Sequence, residues 1–90
     1  MDIVKISDGS NIKWKISGAI DSDNYHDLEK EVINIQNKDV KLTIDMKDVP
    51  YITSAAIRVL LLARKTISKN DLILENANKE IKDIPLNLLF

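Results

Sequence analysis

The clearest chemical opportunity in the chain is Ser54, which stands where a strand-like run hands over to a helix-forming one. Pro50 blocks helix ahead of it. From Ala55 onward, Ala-Ala-Ile-Arg-Val-Leu-Leu-Leu-Ala-Arg-Lys favours helix, with no glycine or proline until well past Lys69. This spacing predicts Ser54 as the N-cap. A serine there offers its hydroxyl to the free N–H groups of the first turn, and those groups, with the positive end of the helix dipole, would also hold a phosphate. Ser54 is thus suited both to capping and to phosphorylation, and spacing alone leaves the choice open.

The remaining chemistry-bearing residues form no catalytic set. His26 falls on the exposed early turn of a predicted helix, with no second histidine, cysteine or serine at a motif spacing. Asp45 lies near the end of a predicted strand and reads as a solvated or loop-binding carboxylate, because no metal partner lies at a known spacing. The chain has no cysteine, which excludes disulfides, a cysteine-based zinc site and a thiol nucleophile. Neither a nucleophile–base pair nor a glycine-rich phosphate loop can be assembled. The expectation is therefore a binding module, with no enzyme activity and no cofactor.

Positioning Ser54 requires an α/β scaffold, and the patterning supplies one. Met1 to Ser7 reads as a strand, Asp8-Gly9-Ser10-Asn11 as a hairpin turn, and Ile12, Trp14 and Ile16, alternating with Lys13, Lys15 and Ser17, as the return strand. Trp14 is assigned to packing. Asp21-Ser22-Asp23-Asn24 offers successive N-caps before Tyr25, Leu28, Val32 and Ile35, which recur at helical spacing. After the break at Asn37-Lys38-Asp39, Val40, Leu42, Ile44 and Met46 alternate as another strand. On the second helix, Ala56, Val59, Leu60, Ala63 and Ile67 share the face expected to pack on a sheet. Ile57, Leu61 and Leu62 lie on its shoulders, where they widen the core or meet a partner. Ser54 projects close to the Arg58 direction, with Leu61 one turn on.

Lys69-Asn70-Asp71 is expected to end that helix, and Leu72-Ile73-Leu74 to form a parallel strand covered on both sides. The tail, Asn78 to Phe90, reads as a short helix broken at Pro85, leaving Leu88, Leu89 and Phe90 to cap the sheet or to support weak homo-oligomerisation. The order β-β-α-β-α-β-α predicts a mixed four-stranded sheet with helices packed on it, as a single domain over residues 1–90. In such a sheet the Asp21 loop and the Ser54 turn, both following strand ends, gather on one edge.

Composition agrees with this reading. With 44% hydrophobic and 30% charged residues in 90, the chain matches a small globular domain rather than a disordered one. The net charge of -1 comes from interspersed Lys and Asp/Glu, so no basic stripe suggests nucleic acid. The apolar run Val59 to Ala63 is too short to insert in a membrane, and the N-terminus has no secretory pattern, so a cytoplasmic location is expected.

Two ordered pieces carry a family resemblance. Tyr51-Ile52-Thr53-Ser54-Ala55-Ala56-Ile57-Arg58-Val59-Leu60-Leu61, after the strand-like Leu42 to Met46, resembles the signature of the STAS family, typified by bacterial anti-sigma factor antagonists. Ser17-Gly18-Ala19-Ile20-Asp21 is similar to that family's Gly-x-Leu/Ile-Asp segment. The resemblance implies that Ser54 is the residue phosphorylated by an anti-sigma factor serine kinase. It also implies that Asp21, Ser22, Thr53, Ala55, Ile57, Arg58 and Leu61 meet that partner. Thr53 and Ala56 stand where the family often has aspartate and usually glycine, which modestly favours the alternative: a structural STAS subunit of a transporter or scaffold assembly, with Ser54 only a cap.

Overall fold

The computed structural model describes residues 1–36, 38–67 and 71–84. Strand β1 (Asp2–Asp8) and strand β2 (Asn11–Ser17) form an antiparallel hairpin. Gly9, at φ 63°, supplies the left-handed backbone that the first position of the two-residue turn demands. Helix α1 (Tyr25–Asn34) leads to β3 (Lys41–Asp48), helix α2 (Ser54–Thr66) to β4 (Leu72–Glu75), and a short α3 (Lys79–Lys82) follows. The four strands lie in the order β1-β2-β3-β4, with β2, β3 and β4 parallel. This is the mixed α/β architecture that the patterning predicts.

Both crossovers, β2 to β3 and β3 to β4, step across the sheet in the same direction. Because such connections are right-handed, they put α1 and α2 on the same face. That face carries the core: Trp14, Ile16, Leu42, Ile44 and Met46 from the sheet meet Leu28 and Val32 of α1 and Ala56, Val59, Leu60 and Ala63 of α2. Ile67 and Ile81 close the same core. The Lys5 ammonium reaches the Glu31 carboxylate at 2.7 Å, tying β1 to α1 across this side.

The opposite face stays open. Val4, Ile6 and Ile73 are 55%, 49% and 42% exposed, and Lys13 bridges to Glu75 at 2.8 Å beside them. The Glu75 hydrogen bond and charge hold the Lys13 ammonium above its ordinary pKa. Leu72-Ile73-Leu74 is therefore not covered on both sides: β4 is an edge strand, and Ile73 points away from the helices. Helix α2 also ends sooner than the Lys69-Asn70-Asp71 turn suggests. It stops at Thr66 because Ile67 swings into extended backbone (φ -115°, ψ 137°) and buries its side chain in the core. Leu88, Leu89 and Phe90 lie outside the described residues.

Candidate functional site

The connectors leaving β2 and β3 run side by side. The Gly18 N–H donates to the Asp48 carbonyl at 3.0 Å, Ile20 N–H to Tyr51 at 3.3 Å, and Thr53 N–H to Ile20 at 3.0 Å, while Ile20 and Ile52 form a parallel bridge. Gly18, at φ 91°, packs so closely that a Cβ there would lie 3.3 Å from the Met1 Cα. Ile20 and Val49 are buried and fix both connectors to the core. The Asp21 turn and the start of α2 thus share one edge, at the ends of the parallel strands where α/β sheets place their sites.

The Asp21 turn is closed on itself. One carboxylate oxygen of Asp21 accepts from the N–H groups of Asp23 (2.9 Å) and Asn24 (3.2 Å). Asn24 answers by accepting from the Asp21 N–H at 2.9 Å and donating to the Ala19 carbonyl at 3.0 Å. This reciprocal pair has the pattern of a capping box but closes the turn one step ahead of α1, whose own N-cap, Asn24, makes no side-chain cap bond to the helix. Ser22 is exposed at the tip of the turn.

The start of α2 differs from the expected one. Thr53, not Ser54, is the N-cap: its backbone is extended (φ -102°, ψ 176°) and its carbonyl accepts from the Ile57 N–H at 3.0 Å. The shift has a tertiary cause, since the Thr53 N–H and hydroxyl are both turned to the Ile20 carbonyl, the hydroxyl at 3.4 Å. No side chain caps the helix. Ser54 is the first helical residue, exposed, and its hydroxyl makes no hydrogen bond among the described residues.

Of the other expected partner-binding residues, Arg58 is exposed, Ala55 and Leu61 are half-buried, and Ile57 is half-buried with part of its side chain against the core. Ser54, Arg58 and Leu61 follow one another at helical spacing and so line one side of α2. Ala56 is buried with its methyl toward the sheet, so it adds no bulk beside Ser54. Tyr51, which is not among the expected site residues, is 50% exposed in the connector before Ser54. Its signal was an aromatic directly after Pro50, in a link too short to fold back and bury it.

Asp45 lies farther along the same edge and is 8% exposed. It accepts from the Asn76 side-chain amide and from the Lys47 N–H, each at 3.0 Å, and these bonds, the Asn76 one foremost, hold its carboxyl below the ordinary 3.8. This is the loop-binding carboxylate the sequence suggests. At the opposite end of the sheet, a shallow pocket of about 170 Å³ lies against the hairpin, lined by Ile6, Asp8, Lys13, Lys41 and Thr43 among others. It gathers none of the expected site residues. Among the described residues, no helix is long and apolar enough to cross a membrane.

No curated protein sequence matches the chain. Among solved structures, the anti-sigma factor antagonist SpoIIAA in its unphosphorylated form superposes with a TM-score of 0.74 at 9% identity, over 90% of this chain and 78% of that one. An anti-sigma factor antagonist from Mycobacterium paratuberculosis gives 0.72 at 16% identity, over 97% of this chain and 75% of that one. Mglu gives 0.68 at 11% identity, over 84% of this chain but 20% of that one. These likenesses establish a shared fold. The STAS domain family model matches residues 3–89, nearly the whole length, and the chain belongs to the STAS domain family.

Proposed function

We propose that the protein is an anti-sigma factor antagonist, a partner-switching module controlled by phosphorylation of Ser54. The observation that carries this reading is the state of the Ser54 hydroxyl. It stands exposed on the first residue of α2, unused by any cap, on the edge where the Asp21 turn and the Tyr51 connector meet. The similarity in fold to two anti-sigma factor antagonists supports the same role.

In the unmodified state, Tyr51, Ile57, Leu61 and the Asp21 turn offer a mixed apolar and polar surface to an anti-sigma factor that is itself a serine kinase. Docking there frees the sigma factor. The kinase supplies the nucleotide and the base, so this chain is a substrate and contributes no catalytic group. Transfer of the phosphoryl group adds about -1.5 to -2 charges at the centre of the contact. A change of about 1.4 kcal/mol already weakens binding about tenfold, so modest repulsion or failed desolvation releases the partner.

The test is incubation with the cognate serine kinase, ATP and magnesium, followed by intact mass measurement of wild type and Ser54→Ala. Wild type gains one phosphate and the alanine variant gains none. Phosphate on the alanine variant, or none on wild type, rejects the switch at Ser54. The second reading, a permanently docked structural subunit, then becomes the better one, and Thr53 in place of the family's aspartate is what favours it.

A further inference from the structure

The segment between β4 and α3 makes contacts that the switch does not use. Two asparagines there turn their side-chain amides toward the exit of β3. Asn76, at φ 59°, donates to the Asp45 carboxylate at 3.0 Å. Asn78 donates to the Pro50 carbonyl at 2.9 Å and to the Val49 carbonyl at 3.4 Å, while its own side-chain oxygen accepts from the Ile81 N–H at 2.9 Å.

Capping α3 requires only the acceptor half of that side chain, and aspartate, serine or threonine would serve. The amino half, with its two hydrogens, is what reaches the connector. Ile81, 3% exposed, anchors α3 in the core and gives the amide a fixed base. The Val49–Thr53 connector is thereby held on one flank by the Gly18–Ile20 backbone and on another by Asn78.

We propose that Asn78 is a positioning residue whose amide fixes the Val49–Thr53 connector, and with it the presentation of Tyr51 and Ser54, while its carbonyl oxygen separately starts α3. The effect on partner docking rests on the function proposed above; the effect on the connector does not.

Asn78→Asp separates the two halves. It keeps an oxygen for the Ile81 N–H, removes the donor, and sets a carboxylate against the Val49 and Pro50 carbonyls. Asn78→Ala removes both halves. Residue-resolved amide hydrogen exchange on the full chain reads the result without any partner. In Asn78→Asp the Thr53 and Ile20 amides exchange about tenfold faster, the size expected for one lost hydrogen bond, while Ile81 and the β3 amide of Leu42 keep their wild-type rates. In Asn78→Ala the Ile81 amide accelerates as well. Unchanged Thr53 exchange in Asn78→Asp overturns the proposal, and so does an equal acceleration at Leu42, which reports general destabilisation.

With the kinase, Asn78→Asp raises the Michaelis constant for this protein and leaves the turnover number as in wild type, because a docked Ser54 reacts as before. An unchanged Michaelis constant overturns the docking role. A wild type that is never phosphorylated sinks the switch and leaves the connector contact standing, whereas unchanged Thr53 exchange does the reverse.

Discussion

Neither helix on the site edge is capped by a side chain, yet the segments that lead into them are finished in opposite ways. Ahead of α1, Asp21 and Asn24 bond each other's backbone and Asn24 also reaches the Ala19 carbonyl, so the turn leading into the helix is closed by its own side chains. At α2 no side chain caps the helix, and the Ser54 hydroxyl faces outward. Helix α2 is held instead from behind, where Ala56, Val59, Leu60 and Ala63 are all buried. A helix stabilised by its rear face can leave its front end free for other molecules. One start therefore builds the edge, and the other is kept available on it.

The difference can be broken at its strongest point by Leu60→Ala. Removing this fully buried side chain should cost about 2–5 kcal/mol in urea unfolding, and a loss under about 1 kcal/mol would mean that burial does not hold α2. Asp21→Ala should cost about 1 kcal/mol by the same measurement and raise exchange of the Asp23 and Asn24 amides in the turn ahead of α1, with α2 unaffected. If both helices fray together, the two starts are not independent.

Asp45→Asn tests the edge in acid. The folded carboxyl sits below its ordinary value, so its stabilisation is complete above about pH 4 and is lost as pH falls through the folded pKa. The asparagine variant should show a shallower loss of stability on acidification than wild type, and parallel curves would argue against the bond to Asn76. The smallest effect belongs to Ser54→Ala, which should shift stability by no more than about 0.5 kcal/mol. A larger loss would show that the hydroxyl has structural work at the helix start.

Much of this was legible from local pattern. The alternation through Trp14 and Ile16 and the positions Ala56, Val59, Leu60 and Ala63 on one side of α2 mark residues that prove buried, because strand and helix periods follow directly from backbone geometry; Ile67 is buried too, but from extended backbone beyond the helix. What escaped depended on distant partners. Thr53 takes the cap position because of an Ile20 carbonyl 33 residues away, and adjacent serine and threonine look equivalent without it. Ile73 sits in an unbroken apolar run, yet its exposure follows from the sequence of crossovers, which no window of residues reports. The roles of Asn76 and Asn78 are equally non-local: an asparagine after a strand reads as turn chemistry until its carbonyl or carboxylate acceptor is known.

The bridge from Ile20 to Ile52 has a consequence for timing. Its halves come from far apart in the chain, so the edge exists only after β3 has docked beside β2. An enzyme that reads the serine together with the neighbouring turn would pass over nascent or denatured copies. Such a signal would count only finished molecules.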